Sequence, residues 1–320
     1  MLMLALYCEN NKLTCLANYP KPVPESDEAL LRITLAGICS TDLEMVKGYV
    51  SGFSGVLGHE FVGVVEQAAD TEWIGKRVVA SMNIGCQTCD ICLQHGPEHC
   101  HSRRALGVHN KDGAFAEYMT VPIRNLYAVP ESVTDEQAVF TEPLAAALKI
   151  REQVKIRPSR KTAVIGPGRL GLLVAQVLQL GGGDVTVLGR RHGSLELPAR
   201  WGLATGLTTD FADNYFDLVV EVTGNDAGFV QALRLVRPMG TIVLKSTFAA
   251  ENQLDMTKIV VSEIEVIGSR CGPFSPALQL LARKQIHTQP LIMAEYSLAD
   301  GLAAFEKAAQ PGVLKVLIRP

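Results

Sequence analysis

Between residues 162 and 171 the sequence reads Thr162-Ala163-Val164-Ile165-Gly166-Pro167-Gly168-Arg169-Leu170-Gly171. The first four residues are typical of a buried strand, and an amphipathic helical pattern follows to about Leu180. Glycines spaced G-x-G-x-x-G between a strand and a helix indicate a dinucleotide site, whereas a lone glycine turn occurs in many α/β folds. We predict that this loop binds the cofactor through Gly166, Gly168, Arg169, Leu170 and Gly171.

The segments around this loop alternate between β-rich runs and helix-length stretches. The further β-rich runs are Asp184–Leu188, Leu218–Val222, Thr241–Lys245 and Glu265–Gly268. Alternation at this spacing predicts a Rossmann fold, a parallel and doubly wound α/β sheet.

The second strand of this sheet leads into Gly189-Arg190-Arg191, with no carboxylate to bind the ribose 2′-hydroxyl of NAD. Two guanidinium groups suit a 2′-phosphate, so Gly189, Arg190 and Arg191 predict a preference for NADP over NAD. The alternative is that both arginines are simply solvated on a loop.

The first 145 residues have a different character. Short apolar runs at Ala29–Ala36, Phe61–Gln67 and Arg77–Met82 alternate with turns rich in proline and glycine, which predicts a mostly β domain. Glu142-Pro143 then opens a helical run from Leu144 to Val154, with proline expected at the first helical position.

Four cysteines lie close together between residues 85 and 100. They are spaced C-x2-C-x2-C-x7-C, as Cys86, Cys89, Cys92 and Cys100. Four thiolates at this spacing predict a closed structural zinc site. An iron–sulfur cluster is the competing interpretation, but the bacterial ferredoxin pattern ends in a shorter gap.

A second set of metal-binding side chains extends from Gly37 to Glu60. It includes Cys39, Asp42, His59 and Glu60, with a hydroxyl at Thr41. Three protein ligands and one open position describe a catalytic zinc site. Read alone, this stretch favours the simpler interpretation, a buried cysteine and a core histidine, over a zinc site.

Composition restricts the class of protein. The chain has 320 residues, 48% of them hydrophobic, and a net charge of −3. That length predicts two domains, and the near-neutral charge without basic blocks argues against nucleic-acid binding or a membrane-surface role. The sequence shows neither a signal peptide nor an apolar run of membrane-spanning length, so we expect a cytoplasmic protein.

Taken together, these motifs resemble the zinc-dependent alcohol dehydrogenases of the medium-chain dehydrogenase/reductase superfamily. Thr141-Glu142-Pro143-Leu144 is similar to the polyol, threonine and glucose dehydrogenase branch. The resemblance implies a GroES-like catalytic domain over residues 1–146 and 269–320, with a Rossmann domain over residues 147–268 inserted between. It implies two zinc ions per chain, the catalytic one held by Cys39, His59 and Glu60 or Glu142. For Glu142 the alternative is a carboxylate that favours the positive end of its own helix.

The resemblance also implies roles for other residues. Thr41 takes the substrate proton, Asp42 hydrogen-bonds a ligating imidazole, and Glu44 stands where many relatives end the proton relay with histidine. By family position, Tyr49, Phe53 and Asn83 would line the substrate pocket, while Arg270 would contact substrate or cofactor.

The expected protein is a reversible dehydrogenase of alcohols, polyols or sugars that works as a homodimer or homotetramer. The rival interpretation is a zinc-stabilised dinucleotide-binding or sensing protein without turnover. The presence of Cys39, His59 and Thr41 argues against that rival, because a pure sensor does not need an open metal site.

Overall fold

The computed structural model describes residues 1–247 and 255–320. The chain divides into two compact units, Met1–Glu142 with Phe274–Pro320, and Pro143–Pro273. The second unit is thus inserted into the first. The boundaries expected at 146/147 and 268/269 lie a few residues inside these limits and stay predictions.

The strands are β1 (Leu2–Glu9), β2 (Lys12–Pro20), β3 (Glu28–Gly37), β4 (Ser54–Val56), β5 (Glu60–Ala68), β6 (Arg77–Ala80), β7 (Asn83–Ile84), β8 (Arg104–Ala105), β9 (Tyr118–Pro122), β10 (Leu126–Ala128), β11 (Lys161–Ile165), β12 (Asp184–Gly189), β13 (Ala204–Leu207), β14 (Phe216–Glu221), β15 (Val236–Leu244), β16 (Glu265–Gly268), β17 (Ile292–Ser297) and β18 (Lys315–Arg319). The helices are α1 (Ser40–Val46), α2 (Asp90–His95), α3 (Asp135–Ala138), α4 (Thr141–Gln153), α5 (Arg169–Leu180), α6 (Glu196–Arg200), α7 (Asp226–Leu235), α8 (Met256–Val261), α9 (Phe274–Ala282) and α10 (Gly301–Ala308). None of these helices combines the length and the apolar character that crossing a bilayer requires.

The first unit is built mainly from β-sheets. Its larger sheet has the order β10-β6-β5-β3-β18-β17, with β9 also paired to β3, and a smaller sheet has the order β2-β1-β4. Strand β3 contacts three neighbours and is buried at eight of its ten positions, which explains its nearly continuous apolar sequence. The prediction of a mostly β domain here is confirmed.

The second unit is a parallel sheet with the order β13-β12-β11-β14-β15-β16. All six residues of β14 are buried, as expected for a central strand covered on both faces. The strand order reverses between β11 and β14, which is the topological switch point where doubly wound sheets bind dinucleotides. The predicted Rossmann architecture is confirmed.

The start of α4 differs from the expectation. The helix begins at Thr141, so Pro143 is its third residue and not its first. The first four N–H groups of a helix have no partner within it, so a proline fits anywhere in the first turn without losing a hydrogen bond. The sequence pattern therefore located the helix correctly but misplaced its first residue.

Candidate metal centres and dinucleotide site

The first candidate centre is assembled by the pairing of β3 with β5. Gly37 at the end of β3 pairs with Glu60 at the start of β5, which places Cys39 and His59 beside each other. The ligand atoms of Cys39, His59 and Glu60 all lie within 4.8 Å of one another. His59 and Glu60 are buried and Cys39 is half-buried. The fold thus brings together residues that lie about 20 positions apart in the sequence.

Asp42 connects two members of this centre. Its Oδ2 accepts a hydrogen bond from the Cys39 backbone N–H at 2.8 Å, and its Oδ1 faces Nδ1 of His59 at 3.4 Å. Asp42 is fully buried, and neither its Oδ1 nor His59 Nδ1 makes a conventional hydrogen bond to a described group. The two atoms are at ion-pair distance, so Asp42 orients the imidazole mainly through its charge.

The protonation of His59 follows from this environment. Burial alone would lower the pKa of His59, but the charge of Asp42 and contacts with Asp42 and Cys39 raise that pKa well above its ordinary value. Histidine binds metals through its neutral imidazole, so a metal ion at this position must displace a proton. A buried cysteine, histidine and carboxylate with a supporting aspartate fit a zinc ion.

Glu60 has a partner that the sequence did not reveal. Lys315 at the start of β18 donates to Glu60 Oε2 and, at 3.4 Å, to the carbonyl of Ile38. Lys315 and Glu60 are each only 1% exposed. The only signal for Lys315 in the sequence is a charged residue at the edge of the apolar run Val316-Leu317-Ile318, and lysines at strand ends are usually solvated.

Glu142, the alternative carboxylate, is half-buried at the second position of α4. It is not a member of the converging group that the described residues form. The geometry therefore favours Glu60 over Glu142 as the third candidate ligand, and the position of Glu142 in the first turn suits a carboxylate at a helix N-terminus.

The predicted proton-relay residues lie on α1. Thr41 is half-buried in the first turn, two residues after Cys39. Glu44 is also half-buried, and one of its oxygens accepts from Lys47 Nζ at 2.8 Å. The roles of both residues in proton transfer stay predictions.

The predicted substrate contacts have different surroundings. Tyr49 is exposed and Phe53 is half-buried. Asn83 is buried, and its Oδ1 already accepts from Arg103 at 2.8 Å, so this side chain serves the packing of its own unit. Arg270 is exposed in the second unit, and its carbonyl accepts from Lys245 Nζ at 2.7 Å.

The second candidate centre lies within a single short segment. The sulfur atoms of Cys86, Cys89, Cys92 and Cys100 all lie within 4.8 Å of one another. Backbone N–H groups point at three of these sulfurs, at 3.3–3.4 Å, and Cys89 caps α2. N–H donors aimed at sulfur stabilise thiolates, and four converging thiolates fit a tetrahedral zinc ion.

The thiols of this cluster differ in acidity. Hydrogen bonds from the Thr88 hydroxyl and from nearby backbone N–H groups lower the pKa of Cys86 to about 5. Desolvation raises the pKa of Cys92 to about 12. Zinc must therefore displace a proton from Cys92, whereas Cys86 is available as a thiolate at neutral pH.

The glycine loop joins β11 to α5. Gly166 has a φ of +108°, which favours glycine, and a Cβ on Gly171 would overlap the Gly166 carbonyl oxygen. A Cβ on Gly168 would meet no atom within 4 Å, so open space lies in front of this residue. Helix α5 begins at Arg169, next to Leu170, and the first N–H groups of a helix, which have no partner within it, are of the kind that bind phosphate.

The end of β12 carries the two predicted 2′-phosphate ligands. Gly189 is buried as the last residue of β12, and Arg190 and Arg191 follow it with exposed side chains. The carbonyl of Arg191 accepts from Ser194 Oγ at 2.8 Å, which fixes the backbone of this turn.

Known proteins are similar to this chain in sequence and in fold. The alcohol dehydrogenase GroES-like domain matches residues 25–131, and the zinc-binding dehydrogenase domain matches residues 170–283. A sorbitol dehydrogenase of Halalkalibacterium halodurans is 29% identical over 94% of this chain and 94% of its own length.

Two solved structures extend the comparison. A protein of Sinorhizobium meliloti 1021 bound to NADP has a TM-score of 0.91 and 28% identity over 100% of both chains. The rspB alcohol dehydrogenase of Escherichia coli CFT073, complexed with NADH, has a TM-score of 0.89 and 25% identity over 99% of both chains. By fold, by domain matches and by its two clusters of metal-binding residues, the chain belongs to the zinc-dependent alcohol dehydrogenases of the medium-chain dehydrogenase/reductase superfamily.

Proposed function

We propose that this oxidoreductase transfers a hydride reversibly between a polyol or sugar alcohol and NADP(H). The observation that carries the proposal is the convergence of Cys39, His59 and Glu60 in a chain that also contains a dinucleotide loop. The likeness to a sorbitol dehydrogenase over most of both chains supports a polyhydroxy substrate.

The candidate centre would hold zinc through Cys39, His59 and Glu60, with Glu142 as the alternative carboxylate. When bound, zinc supplies a Lewis acid that lowers the pKa of a substrate hydroxyl, and the nicotinamide accepts the hydride. Asp42 would hold the imidazole of His59 in orientation through its buried charge. Lys315 would balance the buried charge of Glu60.

The proton lost by the alcohol needs an acceptor on the protein. Thr41 is proposed to take this proton because its hydroxyl lies two residues from Cys39 on the first turn of α1. Glu44, one turn further along α1, is the proposed outlet toward solvent. Tyr49, Phe53 and Arg270 are the proposed substrate contacts, whereas the bond from Arg103 makes such a role for Asn83 the weakest of the four.

The four cysteines from Cys86 to Cys100 would hold a second zinc ion without an open position. Such a closed site stabilises its loop and does not take part in the reaction. Metal analysis of the purified protein should therefore give two zinc ions per chain, and removal of Cys39 should reduce this number to one.

The preference for NADP rests on Arg190 and Arg191. Both guanidinium groups are exposed at the end of β12 and are available to a 2′-phosphate. Changing both residues to alanine should lower kcat/KM for NADP about tenfold or more while sparing NAD, since the loss of even one charge-assisted bond costs about 1.5–3 kcal/mol. A chain that prefers NAD before any substitution would contradict this assignment.

A panel of alcohols, polyols and aldoses tests the main proposal. NADPH absorbance at fixed cofactor would identify the substrate class, and a polyol should give the highest kcat/KM. If no member of the panel turns over while NADP still binds, the protein is a dinucleotide-binding or sensing protein instead. The proposed cytoplasmic location is supported by eight cysteines that form no disulfide.

We also propose that the protein forms a homodimer through the open edge of the second unit. Strand β16 is at the end of its sheet, and the apolar side chains near it are strongly exposed: Met239 at 77%, Val260 at 71% and Val261 at 77%. A second copy of the same edge would cover this apolar surface and pair with β16. Light scattering should give twice the chain mass, and Val261→Asp should convert the dimer to a monomer.

A further inference from the structure

A cavity of about 450 Å³ lies in the second unit, away from the dinucleotide loop. Residues that line it include Asp217 near the start of β14, Thr241 on β15 and Glu265 at the start of β16. The strand register places these residues at the end of the sheet where β11 begins, because Thr241 pairs with Leu218 and with Glu265. The glycine loop instead follows the carboxyl end of β11. The five residues of β11 separate the two ends by about 16 Å, so the cavity is a separate site of ligand-binding size.

The charged groups of the cavity have an excess of cations. Lys155, Arg157, Arg160 and Arg237 line it together with only two carboxylates, those of Asp217 and Glu265. The Asp217 carboxylate is already paired with Arg237 and accepts from the Lys161 backbone N–H at 2.7 Å. Glu265 accepts from the Thr241 hydroxyl at 3.1 Å. The remaining positive charge favours an anionic ligand.

One of the cations is held in a fixed orientation. The Arg160 guanidinium donates to Thr241 Oγ1 at 2.6 Å and, at 3.4 Å, to the carbonyls of Asp217 and Lys155. These bonds use three of its five N–H donors. The exposed side chains of Lys155 and Arg157 form no ion pair or hydrogen bond with any described residue, so both can turn toward a ligand.

A neutral group in the cavity narrows the class of ligand. Gln153 Nε2 donates to the Gly268 carbonyl at 3.0 Å, which fixes the orientation of the amide. Its Oε1 is buried and has no partner among the described groups. A buried acceptor without a partner is unfavourable. Since Gln153 also lines the cavity, a small turn of its side chain would bring Oε1 to the hydroxyl group of a ligand there.

We propose that this cavity binds a small organic phosphate that carries a free hydroxyl group. The phosphate would lie against Arg160, Lys155 and Arg157, where guanidinium and ammonium donors form charge-assisted hydrogen bonds. The hydroxyl would donate to Gln153 Oε1. The site would be an effector site, because the strands of the sheet separate it from the loop that takes the cofactor.

Calorimetry with three probes tests the proposal on the zinc-loaded enzyme saturated with dinucleotide, which fills the phosphate position of the glycine loop. Glycerol 3-phosphate should bind with one equivalent per chain. Inorganic phosphate should bind about fivefold more weakly, as expected for one lost hydrogen bond, and glycerol alone should show no measurable binding. All titrations are run at one ionic strength, because the cations are partly exposed.

Two variants and a matched control separate the contributions. The double change Lys155→Ala and Arg157→Ala should lower the affinity for glycerol 3-phosphate about tenfold or more. The control change Lys12→Ala and Arg283→Ala removes the same number of exposed positive charges elsewhere and should leave this affinity unchanged. Gln153→Leu should make glycerol 3-phosphate and inorganic phosphate bind equally.

Equal losses in both double variants would overturn the proposal, because the affinity would then depend on the overall charge of the chain and not on the cations of this cavity. Equal binding of inorganic phosphate and glycerol 3-phosphate by the unmodified enzyme would overturn the role of Gln153. Binding of glycerol 3-phosphate at the candidate zinc centre would be unaffected by the Lys155 and Arg157 changes, so it would also be recognised as a failure.

Discussion

The two candidate metal centres lie in the same unit and are built in opposite ways. Cys39, His59 and Glu60 come from the ends of two paired strands, are mostly buried, and depend on Asp42 and Lys315 for their charge balance. The other centre uses only sulfur, occupies fifteen consecutive residues, and includes an exposed member, Cys86. A centre with three protein ligands can leave one coordination position open for substrate. A centre in which four cysteines bind the metal has no open position and only stabilises its loop.

The largest expected effect, a loss of activity, tests which of the two centres takes part in the reaction. Cys39→Ala should lower kcat by about 10³-fold or more, because the Lewis acid supplies several kcal/mol of transition-state stabilisation. The melting temperature should change little, since the surrounding strands remain paired. Cys100→Ser should show the reverse, with a clear loss of thermal stability. Steady-state kinetics and calorimetric melting of both variants check the contrast.

The half-buried Cys15 belongs to neither centre and provides the control. Cys15→Ser should leave kinetics, zinc content and melting temperature close to those of the unmodified chain. If Cys39→Ala unfolds the protein while Cys100→Ser lowers only activity, the roles of the two centres are exchanged.

A smaller effect is expected from the buried ion pair of the first centre. Lys315→Met should destabilise the chain by about 3 kcal/mol, because it leaves the Glu60 carboxylate buried without its partner. Adding Glu60→Gln should recover part of this loss, and denaturant unfolding of the single and double variants measures the coupling. Arg319→Ala, on the same strand with an exposed partner at Glu295, should cost less than about 1 kcal/mol.

Asp42→Asn tests whether the two centres bind zinc independently. The substitution keeps the shape of the side chain but removes the charge that faces His59, so zinc affinity at the first centre should fall about 10–100-fold. Competition with a chromophoric chelator should show one zinc lost earlier than in the unmodified chain and the other unchanged. Loss of both zinc ions at the same chelator concentration would contradict the independence of the two centres.

The smallest effect concerns the second centre. Thr88 Oγ1 donates to Cys86 Sγ at 3.5 Å and is the largest contribution to the lowered pKa of that thiol. Thr88→Val should raise the pKa of Cys86 in the metal-free protein, and its zinc affinity should fall only a few-fold since one weak bond is lost. Thiolate absorbance against pH measures the first change. An unchanged titration would show that the backbone N–H groups alone set this pKa.

The difference between the centres also explains what the sequence could predict. The spacing from Cys86 to Cys100 is local, so the four-sulfur cluster could be predicted without knowledge of the fold. Cys39 and His59 could be paired only through resemblance, because the register of β3 and β5 brings them together. The glycine loop was recognisable because a strand and a helix flank it.

Other features could not be foreseen for physical reasons. A lysine at the end of a strand, such as Lys315, is expected to be exposed to solvent, and its partner Glu60 is 255 positions away in the sequence. Gln153 is the last residue of α4, and the helix does not determine the direction of its side chain. The sequence therefore could not show that its oxygen lacks a partner among the described groups. The first residue of α4 was misplaced because proline is compatible with several positions in a first turn.

The position of Lys315 in the chain has a consequence for the order of folding during synthesis. Strand β18 lies between β3 and β17, yet the ribosome makes it only after the whole inserted unit. The first unit must therefore wait, with Glu60 unpaired and β3 lacking a neighbour, while the second unit is free to fold as soon as it emerges. In a nascent chain that is stalled before β18, the second unit should be folded, whereas the first unit should still be incomplete.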